Sequence, residues 1–97
     1  MAKKFIVQNA EELERMIEYY DVDLSIAIVE AILSNYKKMK KYIHVAEIHI
    51  IEEEDIADLS VERIDVLDTL EKNLKILEAN EEYELCSKVV KLINEIK

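Results

Sequence analysis

The sequence predicts a helix-dominated α+β fold: two N-terminal helices, a short β-hairpin and a C-terminal αα-hairpin, in one domain spanning residues 1–97. Three observations predict it. Apolar residues recur at helical spacing over both ends of the chain, which is the signature of amphipathic helices. Between them, "YIHVAEIHII" is short and rich in β-branched residues, which suits a strand. The 97 residues include neither Gly nor Pro. Without Pro there is no built-in helix breaker, and without Gly any residue with φ > 0 is expected to be Asn or Asp.

In chain order, "FIVQ" reads as an extended segment able to add a third strand to the hairpin. "NAEELERMIEYY" follows as a helix with a capping box, Asn9 facing Glu12, and one stripe of Leu13, Met16, Ile17 and Tyr20. Asp21 or Asp23 then caps "LSIAIVEAILSNYKKMKK". That helix is apolar on most sides, with rows Leu24, Ile28, Ile32 and Ile26, Val29, Leu33, Tyr36, so it is expected to be the most buried element. The lysines of "KKMKK" fall at its end, where the helix dipole favours cations.

"DIADLSV" is the expected partner of "YIHVAEIHII", joined to it by "EEED". Alternation in the first strand is broken. Ile43, Val45 and Ile51 share one parity; Ala46, Ile48 and Ile50 share the other. Because a tight hairpin turn normally uses Gly or Asn-Gly, an all-α bundle is the alternative architecture. From Ser60 onward the pattern is helical again. Ile64, Leu67, Leu70, Leu74 and Leu77 form one stripe, Asn80 breaks it, and Tyr83, Cys86, Val89, Val90, Ile93 and Ile96 form the next. A connection this short makes the pair a helical hairpin.

The net charge is −9, divided unevenly. Residues 1–50 carry 7 basic and 8 acidic side chains, whereas residues 51–97 carry 6 and 14. Direct nucleic-acid binding needs clustered Lys and Arg to displace counterions, so this balance disfavours it. The N-terminal segment has no apolar run of signal-peptide length, and "LSIAIVEAIL" is too short to span a bilayer. With one cysteine, no internal disulfide is possible, and a cytoplasmic protein that engages no membrane is expected.

Few residues suit catalysis. His44 and His49 fall on opposite faces of a regular strand, or about 140° apart on a helix. Neither spacing makes a shared metal site. Glu52, Glu53, Glu54 and Asp55 lack the glycine-turned, alternating ligand pattern of a calcium loop and read as a solvated turn. Cys86 sits on an apolar stripe with Glu82 and Glu84 nearby, which opposes thiolate formation and predicts a packing residue. Phosphate-cradling loops need glycine. The expectation is a protein with no catalytic residues, no metal and no cofactor.

"LEKNLKILEANEEYELCSKVVKLINEIK" resembles the UVR motif, a helical hairpin of bacterial excision-nuclease subunits and of some Clp-associated regulators. The shared features are leucines in the first helix, Glu82-Tyr83-Glu84 at the turn, small Cys86 and Ser87, and Lys88 before an aliphatic residue. The arginine–aspartate pair typical of the motif's second helix is replaced by Val90 and Lys91. The resemblance implies protein–protein contact, often with another copy of the same hairpin. The whole chain also looks like small proteins of tailed bacteriophages, which implies an accessory protein acting on a host or phage complex.

These readings converge on a small acidic protein–protein interaction module or accessory regulator that self-associates. Its expected partner-binding residues are Glu82, Tyr83 and Glu84 at one turn and Glu53, Glu54 and Asp55 at the other, with tyrosines as interface anchors. The alternative is an acidic inhibitor that mimics nucleic acid, because residues 52–68 carry eight acids against Arg63 alone.

Overall fold

The β-rich middle of the chain forms the centre of a three-stranded sheet, with all helices on one side of it. The computed structural model describes residues 3–19, 21–38 and 40–97. Among these residues the order is β1 (Lys3–Val7), α1 (Ala10–Glu18), α2 (Val22–Asn35), β2 (Tyr42–Ile50), β3 (Asp55–Glu62), α3 (Val66–Ala79) and α4 (Tyr83–Ile96). Short 3₁₀ turns, Tyr36–Lys38 and Arg63–Asp65, follow α2 and β3. The strand order is β1-β2-β3, with β1 parallel and β3 antiparallel to β2. The helix-dominated α+β architecture is therefore the observed one, and the all-α bundle is not.

Local chemistry explains the boundaries. Asn9 caps α1 by accepting from the Glu12 amide, while the Glu12 carboxylate accepts from the Gln8 amide. Asp21, not Asp23, caps α2 by accepting from the amides of Asp23 and Leu24. Leu13 and Met16 of α1 cover the lower half of the sheet, against Val7, Ile48 and Ile50. Ile17 of the expected stripe is exposed, and Tyr20 lies outside the described residues.

α2 supplies the centre of the main core: Leu24, Val29 and Ile32 meet Ile43, Val45 and Ala46 of β2. Val66, Leu70 and Leu77 of α3 and Cys86, Val89, Leu92 and Ile93 of α4 complete it. Ile64, expected on the α3 stripe, precedes the helix in the 3₁₀ turn and is 85% exposed; Val66 takes the buried place instead. On α4, Tyr83 and Val90 face away from the core, and Leu92 is buried. These differences arise because α3 starts only at Val66, after the first apolar residue of the expected stripe, and because α4 buries a narrower strip than its apolar residues span.

The glycine-free turns fall on glutamate, correcting the expectation of Asn or Asp. The positive-φ residues among those described are Glu54 (φ 49°) and Glu81 (φ 59°). Glu81 follows the last turn of α3, where its amide donates to the Glu78 carbonyl and the Glu82 amide donates to the Leu77 carbonyl. This is the usual left-handed helix ending, with glutamate where glycine is common. Asn80 instead turns its side-chain amide back to the Ile76 carbonyl. In the hairpin, the Glu54 amide donates to the Ile51 carbonyl and closes the β2–β3 turn.

Replacing Glu81 by Gly removes the steric cost of the left-handed backbone and is expected to raise unfolding free energy by about 0.5–1 kcal/mol. Ile48→Ala, in the fully buried centre of β2, is expected to lower it by about 2–5 kcal/mol. Urea denaturation followed by circular dichroism reads both.

Candidate functional site: the open face of the sheet

The broken alternation in β2 is a β-bulge. His44 pairs with Ser60 and Ala46 with Leu59, so Val45 is an extra residue between them. Val45 and Ala46 are both buried, and the inward set runs Ile43, Val45, Ala46, Ile48, Ile50. The phase change places His44, Glu47 and His49 together on the outer face. This overturns the expectation that the two histidines point to opposite faces, which holds only for an unbulged strand.

Pairing registers then define the outer face row by row. Ile6, His49 and Ile56 form one row across the three strands. Lys4, Glu47 and Asp58 form the next, followed by His44 with Ser60 and Tyr42 with Glu62. The helices lie on the other side. Ile6 is 70% exposed, Tyr42 63% and Ile56 51%, on a surface whose reverse closes the core.

Glu47 and Asp58 stand directly opposite each other, a like-charge arrangement that is unfavourable without compensation. Each has a histidine. His49 Nε2 lies 2.9 Å from Glu47 Oε1, and His44 Nε2 lies 3.1 Å from Asp58 Oδ1. An ionised carboxylate only accepts, so each imidazole donates from Nε2. The result is two imidazole–carboxylate pairs, with His49 of one pair lying between Ile6 and Ile56. No grouping of three or more His, Cys, Asp or Glu among the described residues is arranged to hold a metal ion. Both pairs lie on an open sheet face, where water reaches any bound group.

The residues expected from sequence to bind a partner are exposed but do not form one site. Glu82 occupies the cap position before α4 without a side-chain capping bond, and Tyr83 and Glu84 open the helix. Tyr83 is 64% exposed. Glu53 and Glu54 lie in the β2–β3 turn, and Asp55 begins β3, where its carboxylate accepts from the Ile56 amide. No hydrogen bond or ion pair joins the two groups among the described residues. The eight acids of residues 52–68 are also dispersed over the hairpin turn, the outer sheet face and the start of α3.

Sequence reasoning missed Ile6, Tyr42 and Ile56 as a shared surface. The signal was present: two consecutive apolar residues, Val45 and Ala46, inside an otherwise alternating strand mark a bulge.

No family model matches this chain, and no curated protein or solved structure matches it significantly. No helix among the described residues is long and apolar enough to cross a membrane.

Cys86 is buried in the main core. Burial pushes its thiol up from the ordinary value, and the carboxylates of Glu78 and Glu82 push it further. Its neighbours thus include Glu78 rather than the Glu84 expected from sequence. A buried, protonated thiol is a poor nucleophile. At pH 8, Cys86 is expected to react with a thiol-specific disulfide reagent more slowly than free cysteine, with the fast rate returning in urea. A native rate matching that of free cysteine would contradict this placement.

Proposed function

We propose that this protein is a small, non-catalytic protein-interaction module that docks a partner on the open face of its sheet. The observation that carries the reading is the three-strand row Ile6–His49–Ile56, left uncovered while the opposite face closes the core. The exposed aliphatic side chains of Ile6 and Ile56 on a strand platform suit an interface core, and the polar rows beside them suit its rim, with Tyr42 at the far end of the same face. The face carries Glu47, Asp58 and Glu62 against Lys4, so its charge favours a partner that is basic around an apolar centre. The same carboxylates repel phosphates, which argues against a nucleic-acid platform on this sheet. The C-terminal hairpin offers less, because most of the apolar side of α4 is consumed by the core and leaves Tyr83 and Val90 outside.

Affinity capture from the native cell, comparing wild type with Ile6→Glu/Ile56→Glu, tests the reading. Both positions are exposed, so stability is expected to change by no more than about 0.5 kcal/mol per site. A partner rich in Lys and Arg is expected with the wild type and lost with the double variant. Equal recovery by both proteins sinks the sheet-face reading. Loss only with Tyr83→Ala moves the docking surface to the helical hairpin.

A further inference from the structure

Two lysines of "KKMKK", Lys37 and Lys38, do more than follow the end of a helix. Lys37 and Lys38 lie in the 3₁₀ turn after α2, and the packing of α4 against α2 brings Lys88 and Lys91 to the same cleft. Lys88 and Lys91 are three residues apart, on one helix face. The cleft has a volume of about 460 Å³. Leu33, Leu92 and Tyr36 provide its apolar surface, and Glu95 is the one acid lining it.

Four cations thus converge in a chain of net charge −9 that carries 22 acidic side chains. Acids do pair with cations elsewhere: Arg15 with Glu11 at 2.9 Å and Lys97 with Glu71 at 3.9 Å. None of the four cleft lysines has an ion-pair partner among the described residues. The dipole of α2 accounts for Lys37 and Lys38 at its C-terminal end. It gives no reason for Lys88 and Lys91, which belong to a different helix and add like charge to the same space.

We propose that this cleft binds a small phosphorylated organic molecule. Ammonium groups supply donors only, which suits phosphate oxygens, and the leucines with the Tyr36 ring suit an organic body. The volume lies within the range of about 300–1,000 Å³ common for small-ligand sites. Size matters because of the surrounding charge. At an ionic strength of about 0.1 M, screening confines exposed charges to about 10 Å, so a small anion meets mainly the four lysines. A polynucleotide or anionic bilayer also meets the acidic surface around them and is repelled. The site is separate from the open sheet face and does not depend on the function proposed for it.

Isothermal titration with a nucleoside triphosphate and with inorganic tripolyphosphate, at low and high salt, tests the proposal. Saturable binding is expected, tighter for the nucleoside triphosphate and weakened by salt. Lys88→Ala/Lys91→Ala is expected to reduce affinity about ten-fold or more, since each lost charged contact carries a sizeable share of the binding. Lys72→Ala/Lys75→Ala, outside the cleft, is expected to bind as wild type does. Absence of saturable binding, or an equal loss in both double variants, overturns the site. So does cosedimentation with phosphoinositide-containing phosphatidylcholine vesicles in the absence of binding to either soluble phosphate.

Discussion

The phase of β2 governs everything around it. A central strand of nine residues has to bury Ile43, Val45, Ala46, Ile48 and Ile50 on one side, and a regular pleat cannot do so because Val45 and Ala46 are consecutive. The bulge resolves this by inserting Val45 as an unopposed residue. Ile43 and Val45 then meet α2, while Ile48 and Ile50 meet α1, and every helix can gather on one side. The same shift leaves the reverse face to His44, Glu47 and His49. Core and candidate site are thus two sides of one backbone irregularity: to remove the bulge would send half of the strand's apolar set to solvent.

A chain without glycine also has to place left-handed backbone on residues that tolerate it less well. Here both positive-φ positions among the described residues fall on glutamate, each at a turn that leaves the side chain exposed. The hairpin turn has further support from its neighbours. Val7 and Gln8 accept from the Ile51 and Glu52 amides, and the Asn9 amide group donates to the Glu52 carboxylate. The Asn9 region therefore caps α1 and anchors the hairpin at the same time. Turns of this kind hold their geometry through tertiary hydrogen bonds rather than through intrinsic backbone preference.

Much of the architecture was legible because helical periodicity and capping are local. Asn9 with Glu12, Asp21 before α2, and the two C-terminal apolar patterns each declare themselves within one or two helical turns. The parallel partner of β1 was not legible in the same way, since the Phe5–Ile48 pairing joins residues separated by two helices. The outer face was hidden for a different reason. Spacing predicts direction only while a strand stays regular, and the two histidines straddle the one position where it does not. Ile64 misled because apolar spacing continues through a 3₁₀ turn whose side chains do not follow α-helical geometry. The partner residues named from the two acidic turns are exposed, as contiguous glutamates would be in almost any fold, so their exposure discriminates little.

Charge is where local structure departs most from composition. The net value of −9 describes the field far from the molecule, but a ligand within a screening length responds to the side chains it touches. Folding concentrates cations that the sequence scatters: Lys37 and Lys38 lie about fifty positions from Lys88 and Lys91, and only the contact between α2 and α4 makes them neighbours. The same process sets Glu47 beside Asp58 and then tempers the pair with two histidines. Each cluster is partly a consequence of core packing. Val89 and Leu92 fix the rotation of α4 and so direct Lys88 and Lys91 toward the cleft, while the β2 bulge directs the histidines outward. Hydrophobic contacts with no role in recognition thereby determine which charges a small ligand or a protein partner meets, and total charge governs only how such molecules approach.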